Sequence, residues 1–232
     1  MKFNKGKFQI LHLRQNNPGC VYRVGNERLE SSAVERDLGV LIDGKLNMSQ
    51  QCALVARRAI HVLGSIRHSI AIWAKEGVVL LCSALVQTHL ESWRQFWAPQ
   101  YKKDIKLLES IQRRAMKVVK GLVGKSYDEW LRALDLFSLE KKRLRGDLTA
   151  ICNFLMRGSS GAGTDLFTLM TSDMTQGNSI KLSQERFCLD FRKRFFPQRV
   201  VGHLNRLSRE VVAAPSLTEF KKCLDNTLRH MV

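Results

Sequence analysis

The acidic and histidine side chains that enzymes use in catalysis are dispersed along this chain. Metal-dependent nucleotidyl transfer needs clustered carboxylates that hold two cations, and the sequence contains no adjacent pair of aspartates. Asp37 and Asp43 bracket a short apolar run, where aspartates ordinarily serve turns and strand ends. His89, near Glu91 in an apolar stretch, is interpreted as a core histidine rather than a general base. The sequence therefore predicts no catalytic residue and no metal ligand.

Basic residues are the strongest chemical signal. In 232 residues, 38 Lys plus Arg against 21 Asp plus Glu give a net charge of +17, whereas a magnitude of about 2–8 is typical of a small soluble domain. Residues 101–146 carry thirteen basic and six acidic side chains, and residues 181–222 carry ten and four. Such an excess favours a polyanionic partner. A merely solvated charged face is the alternative.

The first basic segment predicts a helix with one cationic side. Lys106, Arg113, Lys117 and Lys120 share a side of this helix, away from its apolar stripe, and such a row can follow a phosphate backbone. We therefore expect RNA, DNA or an RNA–DNA hybrid as the partner, bound through its backbone. The candidate contacts are Lys102, Lys103, Lys106, Arg113, Arg114, Lys117, Lys120, Lys141, Lys142 and Arg143.

Residues 1–46 are the β-rich portion of the predicted fold. Apolar runs around Ile10 and at 21–24, separated by a turn signal at 16–19, predict a strand and a returning strand. A third strand is expected at 38–42. Because three short strands bury little surface alone, this portion is expected to be the edge of something larger.

Apolar residues at helical spacing predict helices along residues 47–157. Residues 78–97 are apolar on most faces, which is typical of a helix buried among others. Capping boxes, in which a serine and a glutamate three residues later satisfy the first amides of a helix, are predicted at Ser126 and Ser216. Ser138 is expected to cap another helix.

The C-terminal part begins after a Gly/Ser-rich linker at 158–164 and forms a small basic region, 165–232. Alternation at 187–191 predicts a strand whose phenylalanines point into the core, although aromatic residues among basic ones can also stack on unpaired nucleotides. The predicted fold class is mainly α with a small β-rich N-terminal portion (α+β), divided into 1–46, 47–157, the linker and the basic region.

Six cysteines are evenly spread, with no Cys-x-x-Cys pair. Cys52, Cys82 and Cys152 fall in helix-like apolar faces, where a free thiol behaves as a small hydrophobe, so reduced thiols are expected rather than three disulfides. No apolar run approaches the ~20 residues of a membrane-spanning helix, and no hydrophobic signal core follows the basic N-terminus. We therefore expect an intracellular chain, in the nucleus or the cytoplasm, without a membrane partner.

Several segments, taken in order along nearly the full length, resemble one known family. They are Lys-Phe-Asn-Lys-Gly-Lys at 2–7, Asp-Leu-Gly-Val-Leu-Ile-Asp at 37–43, Gln-Phe-Trp-Ala-Pro-Gln-Tyr-Lys-Lys-Asp at 95–104, and shorter runs at 45–54, 83–86, 112–115, 136–141, 146–148 and 215–217. On these residues the chain resembles the C-terminal part of reverse transcriptases from LINE-type (non-LTR) retrotransposons. The likeness is greatest to the avian chicken-repeat group, a relative of the jockey elements.

The resemblance implies the end of a polymerase palm at 1–46, followed by a helical thumb-like bundle at 47–157 and a small C-terminal region. A thumb holds template and primer by their backbones. Leu38, Gly39 and Val40 would be similar to the primer grip, which positions the growing DNA end. Full-length members use magnesium, held by aspartates that would lie upstream of this chain.

The resulting expectation is a truncated RNA-directed DNA polymerase that lacks the catalytic aspartates and is inactive alone. It would need no cofactor and would retain sequence-independent nucleic-acid binding. The alternatives are a helical protein-interaction module retained by a host, and a retroelement relic without function.

Overall fold

The structure is a computed structural model that describes residues 8–13, 17–69, 75–91, 96–99, 101–117, 124–156, 167, 181–183 and 195–230. These residues form mainly α-helix with a few short strands, which confirms the predicted fold class at that level. Their buried apolar side chains form two clusters, named here cluster one and cluster two.

Six short strands in the described part pair as three two-stranded sheets. β1 (Gln9–Leu11) runs parallel to β4 (Glu30–Ser32), while β2 (Arg23–Val24) and β3 (Glu27–Arg28) form a hairpin. The predicted returning strand therefore pairs with the residues that follow it and not with the first strand. Gly25, whose φ is 63°, supplies the positive φ that this tight turn requires.

The predicted third strand begins two residues later than expected. β5 (Val34–Asp37) and β6 (Val40–Asp43) form an antiparallel hairpin, and Leu38 and Gly39 are its turn. Their φ values of 47° and 85° are positive, as in the type I′ turn that matches the twist of paired strands. β6 places Val40 in cluster one, whereas Leu38 is 70% exposed at the tip.

Cluster one lies among the first helices, and α1 buries Val55, Ala59 and Ile66 in it, as the apolar stripe predicts. The elements that follow the strands are α1 (Ser49–Ser69), α2 (Lys75–Leu81), a π-helical segment (Cys82–Gln87), α3 (Thr88–Glu91) and α4 (Lys102–Lys117).

Residues 78–97 were predicted to be buried on most sides, but some of their apolar side chains are exposed. Cys82 and Val86 are buried, but Leu80 and Leu85 are 68% and 43% exposed. The reason is that the π-helical segment packs against α1 and α4 from one side. Trp97 lies beyond the helix and is 1% exposed, within cluster one.

The two predicted caps at Ser126 and Ser138 are confirmed. The backbone amide of Glu129 donates to Ser126 Oγ (3.4 Å), and the Ser126 amide donates to Glu129 Oε2 (2.6 Å), which starts α5 (Tyr127–Ala133). The Lys141 amide donates to Ser138 Oγ (3.3 Å) at the start of α6 (Leu139–Met156). α6 then contributes side chains to both clusters.

Cluster two joins α6 to the C-terminal helices: α7 (Phe196–Leu204), α8 (Arg209–Val212) and α9 (Leu217–His230). The Glu219 amide donates to Ser216 Oγ (3.2 Å) at the start of α9, as predicted for that serine. α7 was not among the helices predicted from the sequence. The predicted linker at 158–164 and the predicted strand at 187–191 lie outside the described residues.

Two bidentate ion pairs fasten the C-terminal helices to α6. Arg199 of α7 donates from Nε and Nη2 to Asp147 at 2.8 and 3.2 Å. Arg145 donates from Nε and Nη2 to Asp225 of α9, with 2.9 Å between Nη2 and Oδ2. The two ion pairs therefore hold α7 and α9 against α6, and these are the helices whose apolar side chains form cluster two.

Candidate nucleic-acid interface

Most of the predicted contact residues lie on α4 and share one of its sides. The α4 cationic face consists of Lys102, Lys103, Lys106, Arg113, Arg114 and Lys117, all of them exposed. At about 100° per residue these six positions fall within an arc of about 120°. The buried residues of the helix, such as Leu108 and Ile111, occupy the opposite side. At about 1.5 Å per residue the row is about 22 Å long.

Both carboxylates of α4 are turned away from this face. Asp104 is buried and accepts a hydrogen bond from Ser49 Oγ (2.6 Å) at the start of α1. Glu109 accepts one from the Tyr127 hydroxyl and one from the Leu139 amide (3.2 Å). Within the described ranges no ion pair neutralises the α4 cationic face, which therefore presents six positive charges and no negative one.

A buried polar network fixes α4 against α5 and the start of α6. Gln112, which is 1% exposed, donates from Nε2 to the Tyr127 hydroxyl and to the Phe137 carbonyl, both at 3.0 Å. Burial and the Glu109 carboxylate raise the pKa of Tyr127, which keeps its hydroxyl protonated as a donor. The Arg113 guanidinium lies 4.5 Å from the centre of the Tyr127 ring, an arrangement that holds this cation in place while leaving it exposed.

The three predicted contacts on α6 do not join the α4 cationic face. Lys141 is half-buried and lines a cleft on the other side of the 135–139 segment. Lys142 Nζ is buried without a hydrogen-bond partner among the described residues, and burial lowers the pKa of this lysine to about 8. Arg143 donates to the Leu90 carbonyl (2.9 Å) and stacks on Trp97 at 4.7 Å. Burial lowers the pKa of Arg143 to about 10, so this guanidinium serves the interior of the protein.

The remaining predicted positions are Lys120, which lies outside the described residues, and the turn at Leu38, Gly39 and Val40. The hairpin that carries this turn is attached to α1, because the Leu41 amide donates to Gln51 Oε1 (2.9 Å). The start of α4 is attached to the same end of α1 through Asp104. The hairpin and the α4 cationic face are therefore both anchored on the first turn of α1.

The structure adds two cations that the sequence analysis did not select. Arg132 of α5 and Arg229 of α9 line the same cleft as Lys141, and Arg229 Nη2 lies 2.8 Å from Asp135. Arg132 falls within the basic segment at 101–146, so it could have been selected from the sequence. Nothing in the sequence connects Arg229 to this segment, because only the packing of α6 against α9 brings them together.

The described carboxylates and thiols show structural roles. Asp43 Oδ1 accepts from the backbone amides of Lys45 (3.0 Å) and Asn47 (2.6 Å), the turn role expected for it. The thiols of Cys20, Cys52, Cys82, Cys152 and Cys223 are free, as expected, and Cys188 lies outside the described residues. Burial raises the pKa of Cys52 to about 12, so this thiol stays protonated.

Metal binding has no donor set in the described part of the chain, where no three His, Cys, Asp or Glu side chains come together in a suitable group. Among the helices described, none combines the length and apolar character needed to cross a membrane.

No protein-family model, curated protein or solved structure matches this chain.

Proposed function

We propose that this chain binds nucleic acid through its phosphate backbone, independently of sequence, with the α4 cationic face as the contact surface. The observation that carries the proposal is the row of six exposed cations, about 22 Å long, with both carboxylates of the helix turned inward. A duplex carries one phosphate charge per ~1.7 Å of its axis, so several phosphates face a row of this length. Backbone contacts position a protein without reading bases.

This proposal agrees with the thumb-like role that the resemblance to non-LTR reverse transcriptases implies. In that setting, α4 would hold a template–primer hybrid by its backbone, and the turn at Leu38 and Gly39, whose hairpin is attached to the first turn of α1, would be a primer-grip-like element. The buried carboxylates Asp104 and Asp147 are engaged by Ser49 and Arg199 and so serve the packing of the helices. We therefore propose a binding role without catalysis by these residues.

The test is to remove three charges from the α4 cationic face and measure the salt dependence of binding. K102Q/K106Q/K117Q alters lysines that take no part in the Tyr127 network, so the fold is expected to persist. The matched control is R23Q/R28Q/K45Q, which removes three exposed cations from the N-terminal strands and their connection. Binding to a fluorescent duplex and to an RNA–DNA hybrid hairpin is followed by anisotropy at several salt concentrations.

The expected magnitude follows from counterion release. If all six cations neutralise phosphates, the slope of log K against log salt is about −5.4, and three lost contacts change it to about −2.7. Raising salt from about 50 to about 200 mM then weakens the parent chain ~2,000-fold but the variant only ~40-fold. A slope that changes equally in the control variant, or not at all in the α4 variant, refutes the assignment of this face.

A protein partner is the second candidate, and one observation favours it. Leu80 of α2 and Leu85 of the π-helical segment that follows it are 68% and 43% exposed, which leaves apolar surface open to a partner. A specific protein recovered by pull-down after nuclease treatment and at high salt, and lost in L80S/L85S, would support this candidate. Absence of duplex binding at low salt would refute the first candidate, nucleic-acid binding by the α4 cationic face.

A further inference from the structure

A cleft with a volume of about 580 Å³ lies between α5, the segment that leads into α6, and the end of α9. Its walls combine apolar side chains with charged ones from α5, α6 and α9. Pockets for small molecules commonly span about 300–1,000 Å³. The cleft therefore has room for a ligand of nucleotide size.

The charged groups of the cleft come from separate parts of the chain. Arg132, Lys141 and Arg229 supply three cations, and Asp128 and Asp135 supply two carboxylates. Asp135 is already bound by Arg229 Nη2 at 2.8 Å, so the set as a whole is cationic by one charge. That balance favours an anionic ligand over a cationic one.

The apolar wall of the cleft favours a ligand that is anionic at one end only. Leu131, Leu136 and Phe137 lie on the same cavity as the three cations, and an aromatic ring is a surface on which nucleobases stack. A phosphate attached to a planar base combines both requirements. A simple inorganic anion would leave this wall uncovered.

The buried network joins the cleft to α4 on the side of that helix that faces away from its cationic face. The Phe137 carbonyl accepts from Gln112 Nε2 (3.0 Å), and the Leu139 amide donates to Glu109 (3.2 Å), so the cleft wall is held against the middle of α4. Arg113 of that face stacks on Tyr127, at the start of the helix that carries Arg132. Asp128, the residue that follows Tyr127, lines the cleft, so α5 connects Arg113 of the face to the cleft.

We propose that this cleft binds an unpaired nucleotide, with its phosphate at Arg132, Lys141 and Arg229 and its base against Leu136 and Phe137. The inference rests on the proposed function, because the duplex on α4 delivers the unpaired end. Stacking of one base on an aromatic side chain typically changes affinity by about 5- to 150-fold. A duplex with a short single-stranded overhang should therefore bind at least ~5-fold more tightly than the blunt duplex of the same sequence.

The experiment compares blunt and overhang duplexes by anisotropy in three variants of the full chain. R132Q/R229Q removes two cleft cations, F137L removes the aromatic ring without changing charge, and R23Q/R28Q is the control for lost charge. We expect the overhang gain to vanish in the first two and to persist in the control. Because the Arg229–Asp135 pair is exposed on both sides, little stability is lost with it, and thermal unfolding verifies the fold of each variant.

The outcomes separate this inference from the proposed function. Equal affinity for blunt and overhang duplexes in the parent chain overturns the cleft assignment while leaving binding by α4 intact, and absence of all binding overturns both. A gain that persists in F137L and in R132Q/R229Q places the unpaired nucleotide elsewhere and also overturns the assignment. Competition by a free nucleoside monophosphate distinguishes the two sources of ligand. If it removes the overhang gain and spares blunt binding, the cleft accepts free nucleotides, whereas a retained gain restricts it to nucleotides within a strand.

Discussion

Replacing Lys142 with methionine should stabilise the protein, whereas replacing an exposed lysine that contacts phosphates should leave its stability almost unchanged. The Nζ atom of Lys142 is buried and has no hydrogen-bond partner among the described residues. Burial disfavours its charged form, and the carboxylates of Glu91 and Glu109 offset only part of that cost. Methionine keeps a similar length and removes the buried charge.

The magnitude follows from the shift in the pKa of Lys142, from 10.5 to about 8. At about 1.4 kcal/mol per pKa unit, burial of the ammonium costs about 3 kcal/mol. Between pH 8 and pH 10.5 the unfolded chain holds a proton that the folded chain has lost, so the stability of the parent chain rises with pH across this window. The increase in stability that methionine provides over lysine is therefore complete below pH 8 and disappears as the pH approaches 10.5.

Urea unfolding of the parent chain and of K142M, at pH 7 and again near pH 10, measures this difference directly. K106M is the matched control, because Lys106 is exposed and its replacement should change stability by no more than ~0.5 kcal/mol. Duplex binding by K142M should equal that of the parent chain. A variant that is less stable at pH 7, or a gain that does not depend on pH, would contradict the burial argument. Weakened duplex binding would return Lys142 to the interface.

Two further predictions concern the packing of α6 and the β5–β6 hairpin. Asp147→Ala should cost ~3–5 kcal/mol, because it removes the bidentate carboxylate partner of Arg199 at a site where the two side chains are only 9% and 18% exposed. Asp225→Ala breaks a pair that is about a third exposed and should cost ~1 kcal/mol, so equal losses in chemical unfolding would contradict this ranking. Leu38→Asn should stabilise by ~1 kcal/mol, because asparagine tolerates the positive φ of this turn position better than leucine. A lower melting temperature for this variant would refute the turn assignment.

Local patterns in the sequence predicted the local structure well. The serine caps at 126 and 138 and the apolar stripe of α1 depend on residues within a few positions of one another, and each appears in the structure. α7 also had usable signals, since Pro197 lies in its first turn and Val200 and Leu204 are four residues apart. The alternation just before α7 led the sequence analysis to expect a strand nearby.

Features that depend on distant residues escaped the sequence analysis. Arg143 is buried because Leu90 and Trp97 meet it from segments about fifty residues earlier in the chain. Arg229 joins Lys141 at one cleft because α9 packs along α6. Neither contact leaves a trace in spacing or composition, since charged residues in a helix are ordinarily expected to face water.

The contrast between α4 and α6 shows why periodicity, more than local charge density, identifies a candidate interface. Lys141, Lys142 and Arg143 are consecutive, and at about 100° per residue they point in three directions, so two of the three reach the interior. Lys102, Lys106, Arg113 and Lys117 are separated by steps of four and seven residues, which return to the same side of the helix. Asp104 stands off this spacing and is buried. Glu109 lies on it, seven residues after Lys102, but its carboxylate is held by the Tyr127 hydroxyl and the Leu139 amide. A basic run marks an interface, therefore, only where the helical repeat gathers its charges on one exposed side.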